Sequence, residues 1–307
     1  MTTAHRSGFA CFVGRPNAGK STLTNAIVGE KIAITSSKPQ TTRHAIRGVL
    51  TRPDAQLVLV DTPGVHRPRT LLGQRLNDLV FETWGDVDVI GVCFPASERI
   101  GPGDEFLVRE IAELPRRPKL VALATKSDLV SRNRLAEHLM KIQKLEEKLG
   151  VRWEAMIPVS AVTDDQVDVV VAELVRLLPE GPALYPAETV TDESDETRIA
   201  ELIREAALEG VRDELPHSIA VIVDEMLPRE GRPADKPLLD VFATIVVERD
   251  SQKGIIIGHQ GERLREVGRD ARLQINELLG VPTHLALKVK VMKDWQRDAK
   301  QLNRLGF

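Results

Sequence analysis

The chain has 307 residues, 42% of them hydrophobic and 28% charged, with a net charge of −3 at pH 7. That length holds two ordinary domains, and the balance is that of a soluble folded protein rather than a disordered or fibrous one. Two cysteines, Cys11 and Cys93, exclude a disulfide framework, and no apolar run reaches the roughly 18 residues of a membrane span. The segment Met1 to Phe9 lacks the apolar core of a signal peptide, so a cytoplasmic location with reduced thiols is expected. The acidic net charge gives no sign of a nucleic-acid partner for the chain as a whole. From Asp240 to Phe307, however, 12 Lys/Arg stand against 9 Asp/Glu, a small basic excess.

In chain order, apolar runs alternate with amphipathic segments as far as Pro179. The runs Phe9–Val13, Leu57–Val60, Val87–Phe94, Leu120–Ala124 and Ala155–Val159 read as buried strands. Between them, Lys20–Val28, Gln74–Phe81, Glu105–Glu113, Arg132–Leu149 and Gln166–Leu178 read as helices. Continuous apolar strands separated by helices predict an α/β domain, a mostly parallel sheet covered on both faces. Pro179 to Glu196 carries four Pro/Gly and an acidic cluster, which predicts a linker entering a helix near Thr197. The remainder reads helix (Arg198–Glu209), strand (Ile219–Met226), strand (Leu238–Glu248), a glycine-containing turn, helix (Arg263–Leu279), strand (His284–Met292) and a terminal helix (Trp295–Asn303). The expected division is therefore 1–179, a linker at 180–197, and an α+β domain at 198–307.

Gly14 to Ser21 spells Gly-Arg-Pro-Asn-Ala-Gly-Lys-Ser, the pattern G-x-x-x-x-G-K-[ST] between a strand and a helix. Such a loop wraps a phosphate with backbone N–H groups, here from Gly14, Ala18, Gly19 and the helix start at Lys20 to Thr22. Lys20 is placed to reach the β- and γ-phosphates, and the Ser21 hydroxyl to ligate magnesium. Asn17 suits a turn, and it resembles an asparagine by which some phosphate-loop GTPases hold a monovalent cation such as potassium. Asp61-Thr62-Pro63-Gly64 ends the second apolar strand; Asp61 can hold magnesium through water, and the Gly64 N–H can meet a γ-phosphate. Thr125-Lys126-Ser127-Asp128 follows another strand. There Asp128 can accept N1–H and N2–H₂ of guanine, a donor pair that adenine lacks, or cap a helix. The Lys126 stem can cover the base face, and Ser160-Ala161 can offer N–H to the guanine oxygen. In Glu30 to Arg43, a threonine should join magnesium and γ-phosphate and leave on hydrolysis; Thr42 is the expected residue, with Thr41 as alternate. His44 and His66 lie within sequence reach of the site or are simply exposed in loops.

These four motifs, in this order, resemble a GTPase of the translation-factor class. Two departures stand out. Thr125 occupies a position where that class usually carries Asn, and Val65 occupies that of the water-positioning glutamine of Ras-like enzymes.

Further on, Gly258-His259-Gln260-Gly261 is a G-x-x-G turn entering an amphipathic helix. It is either a plain turn or a backbone clamp for about four nucleotides. Lys253 and Arg263 can supply phosphate contacts, although Arg263 can equally belong to a solvated helix face. The succession around the turn resembles a KH domain of the α-β-β-α-α-β kind. One GTPase domain followed by one such KH domain resembles the Era family of ribosome-associated GTPases, over nearly the whole chain. The resemblance implies a GTP-hydrolysing switch using GTP/GDP and magnesium, with Lys20, Thr42 and Gly64 in catalysis and Ser21, Thr42 and Asp61 at the metal. Its implied partner is the 3′ end of 16S rRNA on the small ribosomal subunit, bound through Lys253, Gly258, His259, Gln260, Gly261 and Arg263. It also implies a monomer with peripheral association at the inner face of the cell membrane. A competing expectation is an RNA-binding assembly factor with a degenerate nucleotide pocket, motivated by Thr125.

Overall fold

The structure is a computed structural model describing residues 4–35, 42–65, 67–209, 211, 218–233 and 235–307. Thr41, the rest of the run from Ser36, and His66 lie outside the described residues. The chain divides into two compact units: among the described residues the first holds 4–35, 42–65, 67 and 76–192, and the second holds Pro68–Arg75 together with the residues from Glu193 onward.

The first unit contains strands β1 (Arg6–Val13), β2 (Ile46–Arg52), β3 (Ala55–Asp61), β4 (Val89–Cys93), β5 (Lys119–Thr125) and β6 (Trp153–Val159). Its helices are α1 (Lys20–Val28), α2 (Leu71–Asp86), α3 (Pro102–Ala112), α4 (Arg132–Leu149) and α5 (Val167–Leu177). The sheet order is β2-β3-β1-β4-β5-β6. All pairs are parallel except β2 with β3. Because side chains alternate along a strand, the same strands feed two cores. Ala10, Phe12, Leu57, Leu59 and Leu123 pack with Leu23 and Ile27 of α1 and Val170 and Leu174 of α5. Cys11, Val13, Ile90, Val92 and Ala122 pack with Val80 and Trp84, with α3 and with Ile142 of α4. Strand order reverses at β1, which has β3 on one side and β4 on the other. That opens a crevice at its carboxyl end, where such sheets bind ligands.

Sequence patterning misses β2. Ile46–Arg52 is an edge strand containing Arg47, Gly48 and Arg52, and only three of its seven residues are buried. Such strands lack a continuous apolar run. The stretch expected as a linker is instead bound along this unit. Ser7 N–H donates to Pro179 O, Val49 N–H donates to Val190 O, and Arg47 pairs with Asp192 at 3.1 Å. Gln56, fully buried in β3, accepts from Leu184 N–H and Tyr185 N–H and donates to Tyr185 O.

The second unit begins with α6 (Asp195–Leu208), capped by Ser194 two residues earlier than the expected start, with Asp195 and Glu196 favourably placed in its first turn. Then come β7 (Ala220–Pro228), β8 (Leu239–Val247), α7 (Asp250–Ile257), α8 (Glu262–Leu279) and β9 (Thr283–Val291). β8 lies between β7, antiparallel, and β9, parallel. The order is α-β-β-α-α-β, as the resemblance requires. α7 was expected as a turn. It is only eight residues long with Gly254 inside, and it starts where Gln252 Oε1 accepts from Glu248 N–H and Arg249 N–H. The expected terminal helix is split: a short 3₁₀ turn covers Trp295–Arg297, and α9 spans only Ala299–Arg304. Asp298 breaks it by accepting from Lys300 N–H and Gln301 N–H.

Candidate functional site

The phosphate loop joins β1 to α1 at the strand-order reversal. Gly14 is required by close approach: a Cβ there would stand 2.8 Å from Cys93 O and 3.0 Å from Ala18 Cβ. Helix α1 starts with no capping side chain and no acidic residue in its first turn, which leaves its N-terminal N–H groups and dipole available to an anion. Lys20 Nζ donates to Gly14 O at 3.1 Å and Arg15 O at 3.3 Å, folding over the loop it would otherwise extend from. Burial pushes its pKa below the ordinary lysine value, and Asp61 pulls partly the other way. Asn17 holds φ 61°, so the turn alone accounts for an asparagine there. Cys93, beneath the loop, is an inert thiol that burial pushes up to about 12.

Three oxygens converge beside the loop. Ser21 Oγ donates to Asp61 Oδ2 at 2.8 Å, Thr42 Oγ1 donates to the same oxygen at 2.9 Å, and the two hydroxyls are 3.2 Å apart. Asp61 Oδ1 is buried with no hydrogen-bond partner among the described residues. Burial raises the Asp61 pKa, while Ser21, Lys20 and Thr42 oppose that rise. A buried carboxylate with an unsatisfied oxygen and two adjacent hydroxyls suits a hard divalent cation. Gly64 follows at close range: a side chain there would stand 3.9 Å from Lys20 Nζ. Thr62 is buried, and Val65 packs against the second core rather than offering a polar group. His44 is half-buried.

An open cleft adjoins the loop, lined among others by Gly19, Thr22, Thr125, Lys126, Asp128 and Ala161. Lys126 adopts φ 56°, which turns the chain at the end of β5. Asp128 is exposed and is not a cap; Ser131 caps α4 instead. Thr125 Oγ1 donates to Ala18 O at 2.7 Å. One expectation changes here. Ser160 N–H already donates to Asp165 O, and Ser160 Oγ accepts from Thr163 N–H. The Ser160 N–H is thus engaged within its own loop. Val162, 81% exposed at the cleft wall, escaped sequence reading because an isolated valine in a loop carries no pattern. Asn25 was missed as well: its amide binds Ile32 N–H, Ala33 N–H and Ala33 O, fixing the chain before Ser36.

In the second unit, Gly258 has φ 71°, and a Cβ there would lie 2.6 Å from Arg263 Cβ. His259 and Gln260 are exposed at the tip, and Lys253 is half-buried on α7. Arg263 differs from expectation. Its guanidinium donates to Ala206 O and Glu209 O at the C-terminal end of α6 and pairs with Glu266 at 3.2 Å. These contacts brace the turn against negative helix-end carbonyls.

Two family profiles match: "50S ribosome-binding GTPase" over residues 9–126 and "KH domain" over 214–296. The GTPase Era of Streptomyces coelicolor is 64% identical over 305 residues, covering 99% of this chain and 96% of that protein. The chain belongs to the Era family of GTPases. The GTPase Era of Nocardioides sp. is 62% identical over 99% of this chain and 97% of its own length. Among solved structures, Era in complex with MgGDPNP and nucleotides 1506–1542 of 16S ribosomal RNA superposes with a TM-score of 0.92 at 33% identity, covering 98% of this chain and 99% of that one. A variant of Aquifex aeolicus Era bound to GDP·AlF4⁻ gives 0.91 at 32% identity, again over 98% and 99%.

Proposed function

We propose that the chain is a GTP-hydrolysing switch that binds the 3′ end of small-subunit rRNA and assists assembly of that subunit. The observation that carries the reading is the convergence of Ser21, Thr42 and Asp61 on one point beside a phosphate loop. The loop N–H groups and Lys20 hold the β- and γ-phosphates of GTP. Magnesium, when bound, neutralises charge on those phosphate oxygens; Ser21, Thr42 and Asp61 are the residues that would hold it. Gly64 N–H and Thr42 sense the γ-phosphate, so its loss releases the segments carrying them. Asp128 and Ala161 select guanine, with the Lys126 stem over the base. The G-x-x-G turn of Gly258 to Gly261, with Lys253, takes the RNA backbone.

Thr125 argues against a degenerate pocket, because its hydroxyl ties the base strand to the phosphate loop. Asn17 is the group that a potassium ion would use, should hydrolysis depend on one. No helix among the described residues is long and apolar enough to cross a membrane, and the reading takes the chain as a cytoplasmic monomer whose membrane contact is peripheral. Supporting the RNA arm, the related Era of known structure holds 16S rRNA nucleotides 1506–1542 together with MgGDPNP.

Multiple-turnover phosphate release tests the enzyme. The purified chain with magnesium should turn over GTP and not ATP, and Asp61→Ala should lower the rate at least tenfold. Nucleotide-independent RNA binding without phosphate release would contradict the proposal.

A further inference from the structure

We propose that Thr125 is a brace for the phosphate loop that leaves N7 of the base unread, so that guanine is recognised through Asp128 and Ala161 alone. This rests on the guanine-nucleotide reading above and sharpens it. A threonine hydroxyl has one proton to donate. Here it goes to Ala18 O at 2.7 Å, in a residue only 4% exposed. The backbone on either side is committed too: Thr125 N–H donates to Phe94 O, and Thr125 O accepts from Ala96 N–H. With the main chain clasped and a β-branched side chain stiff about χ1, the hydroxyl has little freedom to turn elsewhere. Ala18 is fully buried, so diverting the proton would strip a buried carbonyl of this bond.

Purine geometry supplies the rest. A guanine held at Asp128 by N1–H and N2–H₂ presents O6 and N7 on its other edge. Both are acceptors and need donors. Ala161 N–H serves O6. N7 then lies on the side of the cleft lined by Thr125, which has only lone pairs left to offer. An asparagine amide carries two N–H donors, enough to brace the loop and read N7 together. The departure at position 125 therefore keeps the mechanical half of that residue's work and drops the base-reading half.

The test compares GDP with 7-deaza-GDP, which lacks N7, in calorimetric titrations of the full chain with magnesium. The wild-type chain should bind the two within threefold of one another. Thr125→Asn should bind 7-deaza-GDP on the order of tenfold more weakly than GDP, the cost of one lost neutral hydrogen bond. Thr125→Val should weaken both ligands by the same factor, and Thr125→Ser should restore both. A purely structural role for Thr125 would leave the GDP to 7-deaza-GDP ratio alone in every variant, so an unchanged ratio in a folded Thr125→Asn would overturn the account of why N7 is unread. A preference of threefold or more for GDP in the wild-type chain would overturn the inference outright. Failure to bind GDP at all would instead overturn the guanine-nucleotide reading beneath it.

Discussion

Asp61 shows how one buried carboxylate gathers a site. Its Oδ2 collects the hydroxyls of Ser21 and Thr42, and Oδ1 has no partner among the described residues. A buried carboxylate left in that condition is costly, which favours any ligand that supplies positive charge. Asp128 is exposed, and in the proposed reading it acts by matching two donors of guanine at once. Replacing it with Asn turns one acceptor into a donor. Asp128→Asn should therefore weaken GTP by about 1.5–3 kcal/mol, the range for hydrogen bonds to charged groups, and improve xanthosine triphosphate relative to it. Competition between the two nucleotides for the variant measures this directly, and an unchanged preference for GTP would remove Asp128 from base selection. His138 gives a pH prediction. Burial lowers its pKa, although Phe94 O accepts from its ring. The native state then binds fewer protons than the unfolded chain, so stability from the neutral ring is fully present above pH about 6.5 and is lost as pH falls from there through the lowered native value. Thermal unfolding followed from pH 7.5 to 5.5 should decline more steeply for the parent chain than for His138→Gln.

At the scale of elements, the two glycines of the G-x-x-G turn serve different purposes. Gly258 has no room for a side chain, because Arg263 presses against it. Gly261 has φ 78° but nothing within 4 Å of a Cβ, and on the proposed reading this open side is where an RNA phosphate approaches. Gly261→Asp should cost only about 1 kcal/mol in folding yet reduce rRNA affinity at least tenfold, leaving basal GTP hydrolysis unchanged. Gel-shift and phosphate-release assays on the same preparation check both halves. This turn was legible in the sequence because its glycines sit between a helix-forming run and an apolar one. The helix before it was not, since eight residues containing Gly254 give too little periodicity. β2 escaped for a related reason: an edge strand interrupted by Arg47 and Gly48 has no continuous apolar run. The phosphate loop, by contrast, needed no inference about packing. Its spacing alone specifies strand, loop and helix.

At the scale of the whole molecule, each unit has its own sheet and its own buried surface, and the chain joining them is not slack where it leaves the first. The Gln56 side-chain amide and the Val49 N–H hold residues 184 to 190 by hydrogen bonds to their main chain, a feature of tertiary pairing that Pro and Gly content could not foretell. Position was legible for Lys20, Ser21, Thr42, Asp61 and Asp128 because each belongs to a spaced motif. It was not legible for Ser160 and Arg263, whose hydrogen-bonding groups are taken by Asp165 and by the end of α6. Only three-dimensional neighbours decide such commitments. The central claim is that nucleotide and RNA bind one switch, and binding free energies must then be reciprocal. The deciding measurement is a titration of the full chain with a labelled, non-hydrolysable GTP analogue, with and without an oligonucleotide matching the 3′ end of small-subunit rRNA. The account predicts that the RNA tightens the analogue by about fivefold or more, and that the analogue tightens the RNA by the same factor. Affinities that ignore one another would mean two independent binding modules on one chain and no switch.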